Sequence, residues 1–215
     1  MRITRSVAVG EPRALLLHIT EENEGDVLPR LREMTGTGFI YVGLEVEDWN
    51  RDLSPWTAPP VFGRVPFGGE ARKTLDALLS DVLPRFDPAL PRLLGGYSLS
   101  GLFALWASYE CECFAGVAAA SPSVWFPGWD EYADARVPRG MAYLSLGDRE
   151  ARTRNPQMAT VADAIQRQAR RFEGIPSKFE WNPGNHFVDA DIRMAKGFAW
   201  LIGQIEISYH TDKTR

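Results

Sequence analysis

Residues 92–101 read Arg-Leu-Leu-Gly-Gly-Tyr-Ser-Leu-Ser-Gly, a short apolar run that leads directly into small residues. The run is typical of a buried strand, and residues 102–109, which are almost wholly apolar, are typical of a buried helix. A serine in the turn between them is held in strained backbone geometry that lifts its hydroxyl clear of the sheet. Small residues are needed two places before and two after it, because strand and helix nearly collide there. Gly96 fills the first place, and Ser100 fills the second, where glycine is usual.

Ser98, the serine of this turn, is either a simple helix cap or a nucleophile. A serine flanked by small residues is a common pattern, and a serine at the start of a helix can simply cap that helix. The strand before Ser98 and the buried helix after it favour the second interpretation, in which Ser98 is a nucleophile.

Short apolar runs alternate with longer helical patterns along all 215 residues. Strands are predicted over residues 13–20, 39–44, 92–96, 114–120, 141–146 and 178–181, and helices over residues 25–34, 70–83, 102–109, 153–172 and 189–205. This alternation is typical of an α/β fold, in which a mostly parallel sheet is covered by helices on both faces. No linker or repeat divides the sequence. We therefore predict one domain over residues 1–215, without a separate cap domain and with a disordered tail from about residue 207.

The overall charge is modest, with 24 Lys and Arg against 28 Asp and Glu and a net charge of −4. This composition does not indicate a surface for nucleic acid, and no basic run is present that would hold an anionic membrane. No stretch reaches the roughly 20 apolar residues of a membrane span, and the first ten residues lack the apolar core of a signal peptide. We therefore expect a soluble cytoplasmic protein that binds neither nucleic acid nor membranes, as a monomer or a homodimer.

Two cysteines, Cys111 and Cys113, flank Glu112. One intervening residue is too few for an easy disulfide, and it does not match the two-residue gap of a zinc knuckle or a redox pair. The spacing predicts two unpaired thiols near the end of a helix, in a reducing compartment.

The chain has three histidines, and their surroundings differ sharply. His18 lies inside an apolar run and is predicted to be a core histidine, while His210 lies in the polar tail. His186 stands in a loop rich in Gly and Pro, between the last predicted strand and the last predicted helix. A general base belongs in such a loop at the carboxyl edge of a parallel sheet, within hydrogen-bond reach of the nucleophile. We therefore predict His186 as the base that activates Ser98.

A third group must orient the histidine and stabilise its protonated form. Residues 144–150 end a predicted strand and supply two carboxylates, Asp148 and Glu150. Either lies between Ser98 and His186 in the chain, in the order nucleophile, acid, base that α/β-hydrolases use. The local pattern does not choose between them, because an aspartate after Gly147 can also cap a turn.

These residues resemble the esterase family of α/β-hydrolases that contains esterase D and the enterochelin esterases. The turn at Ser98 is similar to that family's Gly-x-Ser block, and residues 121–125, Ser-Pro-Ser-Val-Trp, are similar to a block of the enterochelin-esterase branch. The run Gly-Asp-Arg-Glu at 147–150 resembles the turn whose last residue is the family's catalytic acid, which implies Glu150. Gly184-Asn-His186 resembles the segment that carries its histidine. With 215 residues, we expect a short member of the family without the N-terminal domain of the longer enterochelin esterases. The resemblance therefore implies ester hydrolysis and leaves a siderophore substrate open.

Acyl transfer needs two hydrogen-bond donors for the oxyanion that forms during the reaction. One is predicted to be the backbone N–H of Leu99, which follows the nucleophile. The other is predicted in the loop after the strand at residues 39–44, and we assign it to Trp49, which opens an unusual segment rich in Trp and Pro.

Residues 45–69 form a long segment without a regular pattern, and such segments commonly carry function. Aromatic residues crowd this segment and the one that follows the strand at 114–120, namely Trp49, Trp56, Phe62, Phe67, Trp125, Phe126 and Trp129. They predict a partly aromatic pocket, although aromatic side chains can also simply pin long loops to a sheet. For the substrate pocket we assign Tyr97, Trp125, Phe126 and Phe187.

The sequence therefore predicts a serine hydrolase that cleaves small-molecule carboxylic esters through an acyl-enzyme, with Ser98, His186 and Glu150 as its triad. An acyltransferase or a thioesterase would use the same residues, and a related protein without activity would bind a ligand instead. No cofactor and no metal is expected, because the sequence contains neither ligand spacing nor a phosphate-binding glycine loop.

Overall fold

The computed structural model describes residues 1–21 and 25–212, and for residues 208–212 it describes the backbone alone. Seven strands form the main sheet in the order β1-β3-β2-β6-β7-β8-β9. Only β1 is antiparallel to its neighbour, and every other pair is parallel. The strands are β1 (Arg2–Val9), β2 (Pro12–Ile19), β3 (Gly38–Glu45), β6 (Arg92–Tyr97), β7 (Gly116–Ala120), β8 (Met141–Gly147) and β9 (Ser177–Asn182), while β4 (Thr57–Ala58) and β5 (Phe67–Gly68) pair separately.

Helices cover both faces of the main sheet, and each face has its own apolar core. The described helices are α1 (Val27–Met34), α2 (Trp49–Asp52), α3 (Ala71–Ala77), α4 (Leu99–Glu110), α5 (Trp129–Asp134), α6 (Val161–Arg170) and α7 (Ala190–Asp212). The apolar residues of α1 and α7 pack on one face, and those of α3, α4, α5 and α6 pack on the other. The predicted α/β class, with a mostly parallel sheet between two helical layers, is confirmed.

Several elements differ from their prediction, each for a local reason. Strand β1 was not predicted because it is an antiparallel edge strand whose side chains stay largely exposed, so it lacks the apolar run of a central strand. Helix α3 ends at Ala77, and a π-helical turn over Leu78–Val82 follows it directly. Helix α6 begins only at Val161, and the short helix α5 lies in a segment that was predicted as a loop.

The last helix runs further than predicted. Helix α7 continues past Ile205 to Asp212, so the predicted disordered tail is helical over residues 207–212, whereas residues 213–215 lie outside the described residues. No proline interrupts the segment, and buried Ile202 and Ile205 hold the helix to the core up to its last described turns. Within the described part of the chain, no helix combines the length and the apolar character that crossing a membrane requires.

The prediction of two unpaired thiols is wrong, because Cys111 and Cys113 are joined in a disulfide. Cys111 ends α4 in an extended conformation, and the two Cα atoms lie 5.3 Å apart, a separation that a disulfide spans readily. One intervening residue is therefore enough once the helix has ended. The predicted reducing compartment loses the support that it took from these cysteines.

His18 is a core histidine, as predicted. Its ring is fully buried in β2, with Nδ1 2.7 Å from the Tyr41 hydroxyl and with Phe198 against its edge. Burial lowers the pKa of His18 to about 3, because a charged imidazolium cannot be hydrated there. The unfolded chain binds this proton near pH 6.5 and the folded chain does not, so protein stability falls as the pH drops from about 6.5 towards 3.

We expect the free energy of unfolding to fall by up to about 1.4 kcal/mol for each pH unit through this single group. In His18→Leu that contribution is absent, so urea unfolding at pH 7, 6, 5 and 4 is expected to give a flatter pH dependence than the wild type. The matched control is Tyr41→Phe, which removes the hydrogen bond but keeps the titrating ring, and therefore keeps the wild-type slope. Parallel curves for wild type and His18→Leu would rule this role out.

Candidate active site

Ser98 lies in the turn between β6 and α4, where the backbone has φ 59° and ψ −120°. A positive φ is costly for a residue with a side chain, and such strain persists only where the surrounding structure imposes it. Here Ser98 N–H donates to Ala120 O at 3.1 Å, and its own carbonyl accepts from Leu102 N–H at 3.1 Å. The strained turn predicted from the sequence is therefore present, and it holds Ser98 at the first turn of α4.

Ser100, the departure from the usual glycine, fits this turn without displacing it. Its hydroxyl accepts from Tyr97 N–H and donates to Tyr97 O, each at 2.8 Å. A Cβ added to Gly96 would lie 2.4 Å from the carbonyl carbon of Ser100, which no real side chain tolerates. The turn therefore needs glycine at position 96, whereas a serine at position 100 adds two hydrogen bonds.

His186 lies in the loop that follows β9, and its ring reaches Ser98. Its Nε2 is 3.1 Å from Ser98 Oγ, and its Nδ1 is 2.8 Å from Glu150 Oε2. The backbone carbonyl of His186 accepts from the Tyr97 hydroxyl at 2.8 Å, with the two rings 5.2 Å apart. The imidazole thus bridges a hydroxyl and a carboxylate through its two nitrogens.

Glu150 lies in the turn after β8, and its side chain is only 4% exposed. While Oε2 faces His186, Oε1 accepts from Gly147 N–H at 2.6 Å, from the Ser121 hydroxyl at 2.7 Å and from Arg193 at 2.8 Å. Burial alone would raise the pKa of the Glu150 carboxyl, but the hydrogen bonds from His186, Ser121 and Gly147 outweigh it and lower that pKa below its usual value. The carboxylate is therefore ionised at neutral pH.

Asp148, the alternative acid, points elsewhere. Its Oδ1 accepts from Gly184 N–H at 2.9 Å, and its side chain is 57% exposed. It therefore supports the histidine loop through the backbone, while Glu150 alone of the two contacts the ring of His186.

The order of strands explains how residues so far apart in the chain meet. Strands β6, β7, β8 and β9 are consecutive neighbours in the parallel sheet, so their carboxyl ends share one edge. Ser98 follows β6, Glu150 follows β8 and His186 follows β9. The segment after β7 completes the row with Ser121 and Ser123. Ligand and catalytic sites of parallel sheets occur at this edge.

Sequence reasoning gave no role to the two serines after β7. Ser121 has a positive φ of 45°, and its hydroxyl donates to Glu150. Ser123 N–H donates to Ser98 O at 3.0 Å, and its hydroxyl oxygen lies 3.5 Å from that of Ser98. The two serines of the Ser-Pro-Ser block therefore contact the carboxylate and the turn of Ser98, respectively. Their positions in that block were the signal in the sequence that could have assigned them to the site.

Arg193 was missed as well, and it is buried behind the site, with an exposed fraction of 1%. Its guanidinium donates to Glu150, Tyr97 and Ser121, and to the backbone carbonyls of Pro183 and Asn185. An arginine beside Met194 on the apolar side of the last helix is the signal that would have found it.

Of the two predicted oxyanion donors, one follows Ser98 directly in the chain and the other follows a strand that lies two places from β6 in the sheet. Leu99 opens α4 directly after Ser98, and the first N–H groups of a helix have no partner within the helix. Trp49 opens α2 after β3, and β2 lies between β3 and β6 in the sheet. The assignment of Trp49 stays a prediction.

The aromatic residues mostly pack on one another. Trp125 and Phe126 are buried against Phe67, with ring centroids 6.4 and 4.9 Å away, and the Trp56 indole donates to Pro127 O. Tyr97 is buried as well, so these three predicted pocket residues offer little surface to a ligand. Phe187 is different, because it is 88% exposed and packs edge-on against His186 at 5.5 Å.

No group of three or more His, Cys, Asp or Glu residues in the described ranges is arranged to hold a metal ion. The expectation of a site without metal or cofactor stays a prediction.

Comparison with known sequences finds no matching family model and no matching curated protein. Comparison of structures finds clear neighbours. An IroE-like serine hydrolase from Shewanella oneidensis superposes with a TM-score of 0.72 at 16% identity, over 88% of this chain and 70% of that one. The siderophore hydrolase EstB from Aspergillus nidulans gives 0.68 at 18% identity, over 88% and 83% of the two chains.

The enterobactin esterase FES from Shigella flexneri gives a TM-score of 0.64 at 19% identity, over 93% of this chain and 55% of that one. At these identities the likeness establishes the fold. The chain therefore has the α/β-hydrolase fold of known esterases, and the predicted resemblance to the enterochelin-esterase branch is confirmed at the level of the fold.

Proposed function

We propose that this protein hydrolyses carboxylic esters through a covalent acyl-enzyme formed on Ser98. The observation that carries the proposal is the unbroken line of contacts from Ser98 Oγ to His186 Nε2 at 3.1 Å and from His186 Nδ1 to Glu150 Oε2 at 2.8 Å. A hydroxyl, an imidazole and a buried carboxylate in this arrangement match the catalytic triad of serine hydrolases.

In the first half of the reaction, Ser98 Oγ attacks the ester carbonyl while His186 Nε2 takes the hydroxyl proton. Glu150 accepts the hydrogen bond from Nδ1–H, which keeps Nε2 free to act as the base, and it stabilises the imidazolium once formed. The tetrahedral intermediate then breaks its bond to the alcohol oxygen, and His186 returns the proton to that oxygen. Water repeats the sequence on the acyl-enzyme and releases the acid.

The oxyanion of the intermediate is stabilised from the amino end of α4. Leu99 N–H belongs to the first turn of this 12-residue helix, where unpaired N–H groups and the helix dipole favour negative charge. Trp49 remains our proposal for the second donor.

The acyl or alcohol part of the substrate is proposed to contact Phe187, an exposed aromatic residue beside His186. The neighbours of like fold include two siderophore hydrolases and an enterobactin esterase. A panel of short-chain, long-chain and aryl esters, with enterobactin as one member, would distinguish simple esters from siderophores as substrates. Phe187→Ala is a useful companion variant in the same panel.

Labelling with a fluorophosphonate tests the assignment of the nucleophile, because the reagent phosphonylates only an activated serine. We expect the wild-type protein to gain one label and Ser98→Ala to gain none. The matched control is Ser123→Ala, which removes a hydroxyl only 3.5 Å away and is expected to keep the label. A wild type that does not react, or equal labelling of Ser98→Ala, would favour a binding protein without catalytic activity.

A further inference from the structure

Arg193 is a charged residue on the face of α7 that packs against the sheet, and its 1% exposure is unusual for arginine. Removing a guanidinium from water costs several kcal/mol unless a partner and further hydrogen bonds compensate for it. Met194, the next residue, and Phe198, one turn after it, are buried in the apolar core, so this part of α7 is otherwise packed by apolar side chains. A buried arginine at this place therefore calls for a specific explanation.

The guanidinium of Arg193 contacts side chains of the site through one terminal nitrogen and backbone carbonyls of the histidine loop through the other. Nη1 lies 2.8 Å from Glu150 Oε1, 2.9 Å from Ser121 Oγ and 3.0 Å from the Tyr97 hydroxyl. Nη2 donates to two backbone carbonyls, Pro183 O at 3.1 Å and Asn185 O at 3.0 Å. One side chain thus joins the carboxylate of Glu150 to the loop that carries His186.

We propose that Arg193 is a positioning residue that holds the loop of His186 in register with Glu150 and balances the charge of that carboxylate. This role rests on the hydrolase function proposed above. The contacts of Arg193 are with Glu150, with the side chains beside it and with the loop of His186, so it acts through Glu150 and His186.

The loop that carries His186 is rich in residues that favour irregular backbone. Residues 182–186 read Asn-Pro-Gly-Asn-His, and Gly184 has a φ of 105°. The backbone holds part of this segment, because Arg149 N–H donates to Gly184 O at 3.0 Å and Gly184 N–H donates to Asp148 Oδ1. Side chains hold the carbonyls that flank Gly184. Arg193 holds the carbonyls on both sides of Gly184, and the Tyr97 hydroxyl holds the carbonyl of His186. Loss of the Arg193 contacts frees the segment that sets the 3.1 Å approach of His186 to Ser98.

The two carboxylate oxygens of Glu150 have different partners. Oε1 faces Arg193 and Oε2 faces His186, each at 2.8 Å. The positive guanidinium offsets the charge of the carboxylate, so His186 lies beside a balanced ion pair and not beside an isolated negative charge. Among the described residues, the ionisable groups near the pair include Tyr97, whose pKa burial raises to about 12, and Asp148, which points at Gly184 N–H. Arg149 is more than half exposed and faces Asp148. None of these three supplies a buried positive charge next to Glu150.

Ester hydrolysis as a function of pH tests both parts of the role. For Arg193→Met we expect the acid limb of the kcat/KM profile to move up by about one pH unit, because the unbalanced carboxylate holds the imidazolium proton. We also expect kcat to fall about 10- to 100-fold through misplacement of His186, with little change in KM. Arg193→Lys keeps the positive charge but loses the planar guanidinium, whose two terminal nitrogens contact Glu150 and the loop carbonyls. We therefore expect kcat to fall about tenfold while the acid limb stays in place.

Arg171→Met is the matched control, because Arg171 is also largely buried and paired, with Asp130 and Asp134, away from the site. We expect it to lower the melting temperature without moving the pH profile. If Arg193→Met does not fold, the profile of Arg193→Lys decides alone. Wild-type kcat and an unmoved acid limb in folded Arg193 variants would overturn the proposal, as would equal shifts for Lys and Met. A wild type that neither reacts with fluorophosphonate nor hydrolyses esters would instead overturn the proposed function.

Discussion

Replacing His186 with alanine is expected to lower kcat for ester hydrolysis by about 10⁵- to 10⁶-fold. Without the imidazole, Ser98 keeps its proton at neutral pH and the leaving alkoxide receives none. The expectation follows from the 3.1 Å contact between His186 Nε2 and Ser98 Oγ. Steady-state kinetics with an activated aryl ester gives the range needed to measure so large a loss.

The same contact predicts that His186 and Ser98 act as a unit. The double variant Ser98→Ala/His186→Ala is therefore expected to be no slower than either single variant, because each loss already removes the whole nucleophilic route. His18→Leu is the control for removing a histidine outside the site. His18 is buried in β2, and its ring contacts Tyr41 and Phe198. Losses that multiply in the double variant would show that the two residues act separately.

Glu150→Gln is the second large effect, with an expected fall in kcat of about 10⁴-fold. Three donors meet Oε1 of Glu150, so the amide oxygen of glutamine takes that place and the amide NH2 faces His186 Nδ1. The NH2 donates where the carboxylate accepted, which favours the wrong tautomer of the imidazole, and the neutral amide does not stabilise the imidazolium. The substitution also leaves the guanidinium of Arg193 buried without its counter-charge, which costs about 3–5 kcal/mol of stability. Kinetics should therefore be measured well below the melting temperature of the variant.

Asp148→Asn is the matched control for this prediction. Asp148 contacts the histidine loop only through Gly184 N–H, and the asparagine oxygen can accept the same hydrogen bond. Its side chain is more than half exposed, so no buried charge is uncovered. We expect the activity of Asp148→Asn to stay within about threefold of the wild type. A loss in Asp148→Asn as large as that in Glu150→Gln would show that Glu150 is not the acid.

Several elements of the fold could be predicted because their signal is local. Strands β2, β3, β6, β7 and β8 are buried on both faces, so each leaves a continuous apolar run in the sequence. Strand β1 leaves no such run, since it pairs on one edge only and alternates exposed with half-buried residues. The pairing of Cys111 with Cys113 also escaped prediction, because it depends on the extended backbone after the last turn of α4.

For the site, the sequence alone determined the candidate nucleophile and base. A serine between a buried strand and a buried helix and a histidine in a Gly- and Pro-rich loop are properties of short segments, and Ser98 and His186 could be found from them. The choice between Asp148 and Glu150 is different, because both lie in one turn and only the direction of each side chain separates them. Local pattern left that choice open, and resemblance to a family was needed to favour Glu150.

Only the tertiary structure decided how the strained turn at Ser98 is supported. It placed the Ser100 hydroxyl on the Tyr97 backbone, so that a serine can stand where glycine is usual. It also brought Arg193, from the last helix, against Glu150, whose other partners come from the end of β8, the segment after β7 and the loop after β9. Such contacts join residues up to about a hundred positions apart and depend on strand order, which no short stretch of sequence encodes.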